Sequence, residues 1–110
     1  EDETLCAEIA EKGLGLTVCP ISNRFVVQNL TADEIRRMLA RGMKPTINSD
    51  DPAYFGGYIN ENLLALVDEA GYTNDEIVAL TRNAFEVSFA DAERKAAYIA
   101  ELDAYAAQAA

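Results

Sequence analysis

No histidine occurs anywhere in the 110 residues, and that absence constrains the chemistry most. It removes the side chain that most often serves as general base, activates a nucleophilic thiol or ligates a catalytic zinc. Cysteine is nearly as scarce. Cys6 and Cys19 are the only two, without C-x-x-C spacing, which argues against a disulfide scaffold or a structural zinc site. Both are expected as reduced thiols in a cytoplasmic protein. Basic residues are also few: nine Lys and Arg stand against nineteen Asp and Glu, for a net charge of −10. Nucleic acid and anionic membrane are polyanions and are therefore disfavoured as partners. No apolar run approaches the ~18–20 residues that span a bilayer.

Half the residues are hydrophobic, enough for a packed core and too many for a disordered segment. Thr4 to Lys12 reads as a helix, with Leu5, Cys6, Ile9 and Ala10 on one stripe and Gly13 and Gly15 as its stop. Leu16-Thr17-Val18-Cys19 reads as a buried strand closed by Pro20, and Ile21 to Asn29 as a loop. A second helix follows, with Thr31 as N-cap, Glu34 completing a capping box, Leu30 stapled on Ile35, and Gly42 as its stop. A second strand then starts at Lys44. Strand, helix and strand with short joints form a βαβ unit, so the strands are expected to be parallel neighbours joined by a right-handed crossover. Both then deliver their C-terminal ends, near Asn23 and Asp50, to one rim. Three further helices are expected: Asn60 to Ala70, Thr73 to about Ala90 with a second capping box at Thr73 and Glu76, and one capped by Asp91.

The second strand, Lys44-Pro45-Thr46-Ile47-Asn48-Ser49, runs into two adjacent carboxylates, Asp50 and Asp51. Pro52 cannot donate to a ladder and stops the strand. Alternation would carry Asp50 on the face of Thr46 and Asn48. Two readings stand at this point. Aspartate before proline commonly bonds nearby backbone amides in a turn. Two anions side by side also repel, so a site that keeps both usually supplies a cation or donors. Cys19, Ser22 and Asn23 share the rim. Cys19 is a strand-end packer or, without any histidine base, a poorly supported nucleophile. Ser22 and Asn23 cap the loop or line a pocket, and Tyr54 and Phe55 shape a pocket or anchor the following loop. Gly56-Gly57 lacks the G-x-x-x-x-G-K pattern of a phosphate loop.

The run T-I-N-S-D-D-P-A-Y-F-G-G-Y from Thr46 to Tyr58, with C-P-I-S-N from Cys19 to Asn23 one helix upstream, resembles the last two strand ends of the adenosine/adenine deaminase family. The spacing between the motifs is also the family's. Those proteins are zinc-dependent amidohydrolases on a (β/α)8 barrel. The resemblance implies that Asp50 is a zinc ligand and that Asp51 hydrogen-bonds a ring nitrogen of the purine. It implies one Zn2+ as cofactor, adenine or adenosine as the small-molecule partner, and hydrolysis of the purine amine to release ammonia. The A-Y-F-G-G-Y form leans towards the adenine-type members. The family's H-x-H pair, third histidine ligand, glutamate proton donor and histidine base have no match here.

The expected fold is therefore α/β, the C-terminal portion of a (β/α)8 barrel with two parallel strands and about five helices. It is read as one unit over 1–110, strand-helix-strand over 16–50 and helical over 57–110. A full barrel needs roughly 250 residues, so these residues are expected to be a piece of one. The first methionine is Met38 and the chain opens straight into helix-like sequence, which supports a cut chain without a leader. The alternatives from other classes are a small acidic α/β interaction module and a pseudoenzyme that keeps the scaffold without catalysis. Unpaired outer strand edges invite pairing with another chain, so self-association of the isolated chain is expected. With no histidine, the chain alone is expected to show no deaminase turnover when purine absorbance is followed with added zinc. Zinc-dependent turnover abolished by Asp50→Ala would overturn that expectation.

Overall fold

The computed structural model describes residues 2–109; Glu1 and Ala110, at the ends of the expected 1–110 unit, lie outside the described residues. The elements in order are α1 (Glu3–Lys12), β1 (Gly15–Val18), α2 (Pro20–Val27), α3 (Ala32–Ala40), β2 (Lys44–Ile47), α4 (Pro52–Phe55), α5 (Ile59–Ala70), α6 (Asn74–Glu86) and α7 (Ala92–Ala109). The two strands pair in parallel, in register from Gly15 opposite Lys44 to Val18 opposite Ile47. Beyond that ladder the Asn48 amide still donates to the Val18 carbonyl at 2.9 Å. Their C-terminal ends therefore lie side by side at one rim, as the strand-helix-strand order requires.

The core lies between this ladder and helices α3, α5 and α6. Val18 and Ile47 supply the strand side, and Ile35, Leu66 and Leu80 the helix side, the last three at 1% exposure or less. Full burial of one such side chain contributes roughly 1.5–3 kcal/mol before the entropy of ordering it. Pro45, Thr46 and Ile47 are all buried. Both faces of β2 are thus covered, as in strands of parallel sheets flanked by helices. At Gly57 the backbone comes so close to Ile21 that an added Cβ would sit 2.3 Å from Ile21 Cδ1.

Helix starts and stops differ from expectation in places that share a cause. Among the described residues there are seven helices rather than five. Pro20 and Pro52, expected to close strands, instead occupy the first turn of α2 and α4, where proline loses no hydrogen bond. The expected loop over Ile21–Asn29 is therefore mostly α2. Gly13 does end α1 in the left-handed region, whereas Gly15 opens β1.

The two capping boxes part company. At Thr73 the hydroxyl accepts from the Glu76 amide at 3.2 Å, and Glu76 Oε1 accepts from the Thr73 amide at 3.1 Å. At Thr31 no side-chain cap forms and φ is +61°. Its hydroxyl donates to the Leu30 carbonyl at 2.6 Å and accepts from Asn23 Nδ2 at 2.9 Å. Those contacts outcompete the local cap. Helix α6 ends at Glu86, earlier than Ala90, and Asp91 caps the next helix through the Arg94 amide at 2.8 Å.

A clamp joins α3 to the α5–α6 corner. Arg36 Nε donates to Glu76 Oε2 at 2.8 Å, and its guanidinium lies 4.2 Å from the centre of the Tyr72 ring. The buried Tyr72 hydroxyl donates to the Ala32 carbonyl at 2.5 Å. The Arg36–Glu76 pair remains partly solvated, so its net contribution to stability is small. The burial of Tyr72 pushes its phenol up to about 12, against the favourable field of Arg36.

Two outcomes follow from this packing. Gly57→Ala destabilises the fold by about 1–3 kcal/mol, and Ile21→Val, which deletes the clashing Cδ1, restores part of that loss in chemical denaturation. Equal destabilisation with and without Ile21→Val would show that the close approach is not what requires glycine. Tyr72 also makes stability fall with alkali. Its folded pKa lies above the unfolded value, so the stabilisation is intact below pH 10 and is lost as pH rises towards 12. Tyr72→Phe flattens that alkaline decline while costing about 1–3 kcal/mol at neutral pH, where the Ala32 carbonyl loses its donor.

Candidate functional site

The rim of the ladder is built from two loops. The first comes off β1 and enters α2 at once, bringing Cys19, Ser22 and Asn23. The second comes off β2 and enters α4, bringing Asn48, Asp50 and Asp51. Strand alternation does not reach Asp50, contrary to expectation. The strand ends at Ile47, and Asp50 sits in the left-handed region at φ +58°, a conformation that costs a non-glycine residue on the order of 1 kcal/mol. Aspartate tolerates it better than most residues. The turn redirects the side chain across the rim, where Asp50 Oδ2 accepts from Ser22 Oγ at 2.8 Å.

Asp51 points elsewhere. Its Oδ1 accepts from the Tyr54 amide at 3.2 Å and caps α4, the backbone role that aspartate before proline often takes. The two carboxylates are thus separated by the turn between them, with different partners. Beneath them Thr46 Oγ1 donates to the Leu16 carbonyl at 3.2 Å, and Asn48 Nδ2 donates to Thr46 Oγ1 at 3.0 Å. That layer of polar atoms ties the second strand end to the first.

Cys19 is half-buried and unpaired with Cys6. Burial first, and the charge of Asp50 second, push its thiol pKa up, against a backbone hydrogen bond at Asp50 that lowers it. A raised thiol pKa is the opposite of what a nucleophilic cysteine needs, so strand-end packing accounts for this residue. Asn23 serves the loop, through Thr31. Ser22 does not merely cap its loop; it reaches the carboxylate.

Two residues at this rim escaped sequence reasoning. Phe25 on α2 meets Tyr54 and Phe55 edge-on, with ring centres 5.8 and 5.4 Å away. Phe25 and Tyr54 remain 63% and 69% exposed. Asn62 on α5 is fully buried. Its Oδ1 accepts from the Ile21 amide at 3.0 Å, and its Nδ2 donates to the Tyr58 carbonyl at 2.8 Å. The signal for it was present: Asn62 lies one turn before Leu66, on the apolar stripe of its helix, and a buried amide there needs partners.

Among the described residues no three His, Cys, Asp or Glu side chains are grouped to hold a metal. A catalytic zinc takes three protein ligands. The Asp50 carboxylate, oriented by Ser22 and open to solvent, fits as one oxygen donor of such a set. It cannot hold the metal alone, so the other ligands would have to come from beyond these residues.

A family model described as adenosine deaminase matches residues 1–105. The chain belongs to the adenosine deaminase family. Its sequence is 50% identical over 109 residues to the adenine deaminase of Caulobacter vibrioides, covering 97% of this chain and 32% of that protein. The crystal structure of adenine deaminase from Arthrobacter aurescens superposes with a TM-score of 0.86 at 37% identity, covering 94% of this chain and 32% of that one. A zinc-bound amidohydrolase from Burkholderia ambifaria shares the fold, with a TM-score of 0.78 at 22% identity over 96% of this chain and 30% of that one. The family member described here thus spans about a third of the length of the relatives it matches. Its two strands and flanking helices are part of a (β/α)8 barrel, the α/β fold expected from the motifs.

Proposed function

We propose that this chain supplies one side of the active site of an adenine-type purine deaminase, with Asp50 as a zinc ligand and Asp51 as the contact to a purine ring nitrogen. The observation that supports it best is the Asp50 carboxylate, turned across the C-terminal rim of two parallel strands and tied to Ser22. The C-terminal ends of barrel strands are where such folds keep their chemistry. The relatives named adenine deaminase favour adenine over adenosine as the small-molecule partner.

Zinc, when bound, would lower the pKa of a water enough to make hydroxide available near neutral pH. The residues of this chain hold and orient. Asp50 offers an anionic oxygen whose direction is set by Ser22. Asp51 is held at the N-cap of α4 through the Tyr54 amide and can accept a hydrogen bond from a protonated ring nitrogen. Tyr54 and Phe55, shortly after Asp51 in the chain, form with Phe25 an edge-on aromatic cluster that offers a planar base an apolar surface. The overall reaction adds water at the purine carbon bearing the amine, breaks that C–N bond and releases ammonia. The proton transfers need a base and an acid from outside these residues.

In the intact zinc-loaded protein, Asp50→Ala lowers zinc content and activity together, by roughly 100-fold or more in metal affinity, since a ligand costs at least what its supporting groups cost. Asp51→Asn keeps the shape and the metal but loses about 10- to 100-fold in kcat/KM, the value of a hydrogen bond to a charged group. Metal analysis beside steady-state kinetics distinguishes the two roles. Equal zinc loss in both variants would mean that the roles are wrongly assigned.

A further inference from the structure

We propose that Ser22 and Asn62 act as a coupled positioning pair for Asp50, Asn62 fixing the first turn of α2 and Ser22 passing that placement to the carboxylate. The inference deepens the reading of Asp50 as a metal ligand and rests on it. Helix α2 starts without a cap of its own. Cys19 stands at the N-cap position and makes no side-chain bond to the helix, and Pro20 follows at once. The first amides of a helix have no partner inside it. The Ile21 amide finds its partner 41 residues away, in Asn62 Oδ1 at 3.0 Å. This is an N-cap delivered through tertiary structure.

Asn62 is suited to be the fixed point of this arrangement. It is completely buried, and its Nδ2 donates to the Tyr58 carbonyl at 2.8 Å and to the Gly57 carbonyl at 3.3 Å. One carboxamide therefore binds the loop after α4 and the first turn of α2 at the same time. Removing it would leave a buried amide and two carbonyls without this partner, a penalty that makes alternative placements of α2 unfavourable.

The residue after Ile21 is Ser22, itself buried at 6% exposure, with its Oγ 2.8 Å from Asp50 Oδ2. Asp50 is exposed and lies in the left-handed region, so its own backbone and burial hold it weakly. Its orientation depends on the serine, and the serine's position depends on the turn that Asn62 caps. A carboxylate with one oxygen held by a supporting group presents the other in a defined direction. Loss of such a group typically lowers metal affinity by roughly 10- to 100-fold.

The test is a double-mutant cycle on zinc affinity, measured by chelator competition in the intact protein, with thermal melts of the metal-free form alongside. Ser22→Ala is expected to weaken zinc binding by about 10- to 100-fold with little change in the metal-free melt, and Ser22→Thr to restore most of the affinity. Asn62→Ala is expected to weaken zinc binding in the wild-type background but to add little in the Ser22→Ala background, because its effect on the metal runs through the serine. A purely structural asparagine would give additive losses, and additivity would overturn the coupling. If Asn62→Ala does not fold, the Ser22 variants decide: Ser22→Ala with wild-type zinc affinity overturns the proposal. Asp50→Ala separates the two levels. Unchanged zinc affinity there removes the underlying reading of Asp50, and the pair with it. Lost affinity in Asp50→Ala together with wild-type affinity in Ser22→Ala removes only the pair.

Discussion

The parallel ladder between β1 and β2 carries the rest of the structure. Only four residues on each side pair, Gly15 to Val18 against Lys44 to Ile47, yet the direction of that pairing places both strand ends at one rim. An antiparallel arrangement would separate Ser22 from Asp50 by the length of the strands. Parallel strands need a crossover between them, and here α2 and α3 provide it. Of these, α3 packs on the ladder, with Ile35 beside Val18 and Ile47 in a continuous core. The demand for a crossover thus also supplies the burial that keeps the ladder together.

From the ladder outward, the rim is organised by polar atoms that have few alternatives. Asn62, Ser22 and Thr46 are the buried polar residues of the described chain, and each bonds across elements rather than within one. Asn62 joins α5 to the start of α2, Ser22 joins α2 to the turn after β2, and Thr46 joins β2 to β1. No buried side-chain nitrogen or oxygen is left without a partner among the described residues. Such networks fix geometry because a buried polar atom that shifts loses its bond without regaining water. That property suits the role proposed for Asp50, whose carboxylate would have to be held in one direction.

The capping motifs show how far local chemistry reaches. Thr73 and Thr31 carry the same Thr-x-x-Glu pattern, and the first forms the reciprocal box while the second does not. Among the described residues Thr73 has only local partners for its hydroxyl. Thr31 has Asn23, which donates to that hydroxyl from α2. The prolines follow the same logic from the opposite direction. Pro20 and Pro52 interrupt the strands, as their sequence positions imply, but each also opens a helix because the first turn has no use for a donor.

The sequence by itself determined the two strands and their parallel pairing, five of the seven helices among the described residues, the ends of α1 at Gly13 and of α5 at Gly71, and the two motifs that mark the family. Those features depend on interactions within about one helical turn, or on a periodicity that any similar chain would share. Tertiary structure decided where Asp50 points, which oxygen Ser22 occupies, and that Asn62 caps a helix 41 residues away. The physical reason is range. A positive φ at Asp50 is accompanied by the bond across the rim to Ser22, and an asparagine on an apolar stripe reveals its distant partner only once the first turn of α2 has been folded against it.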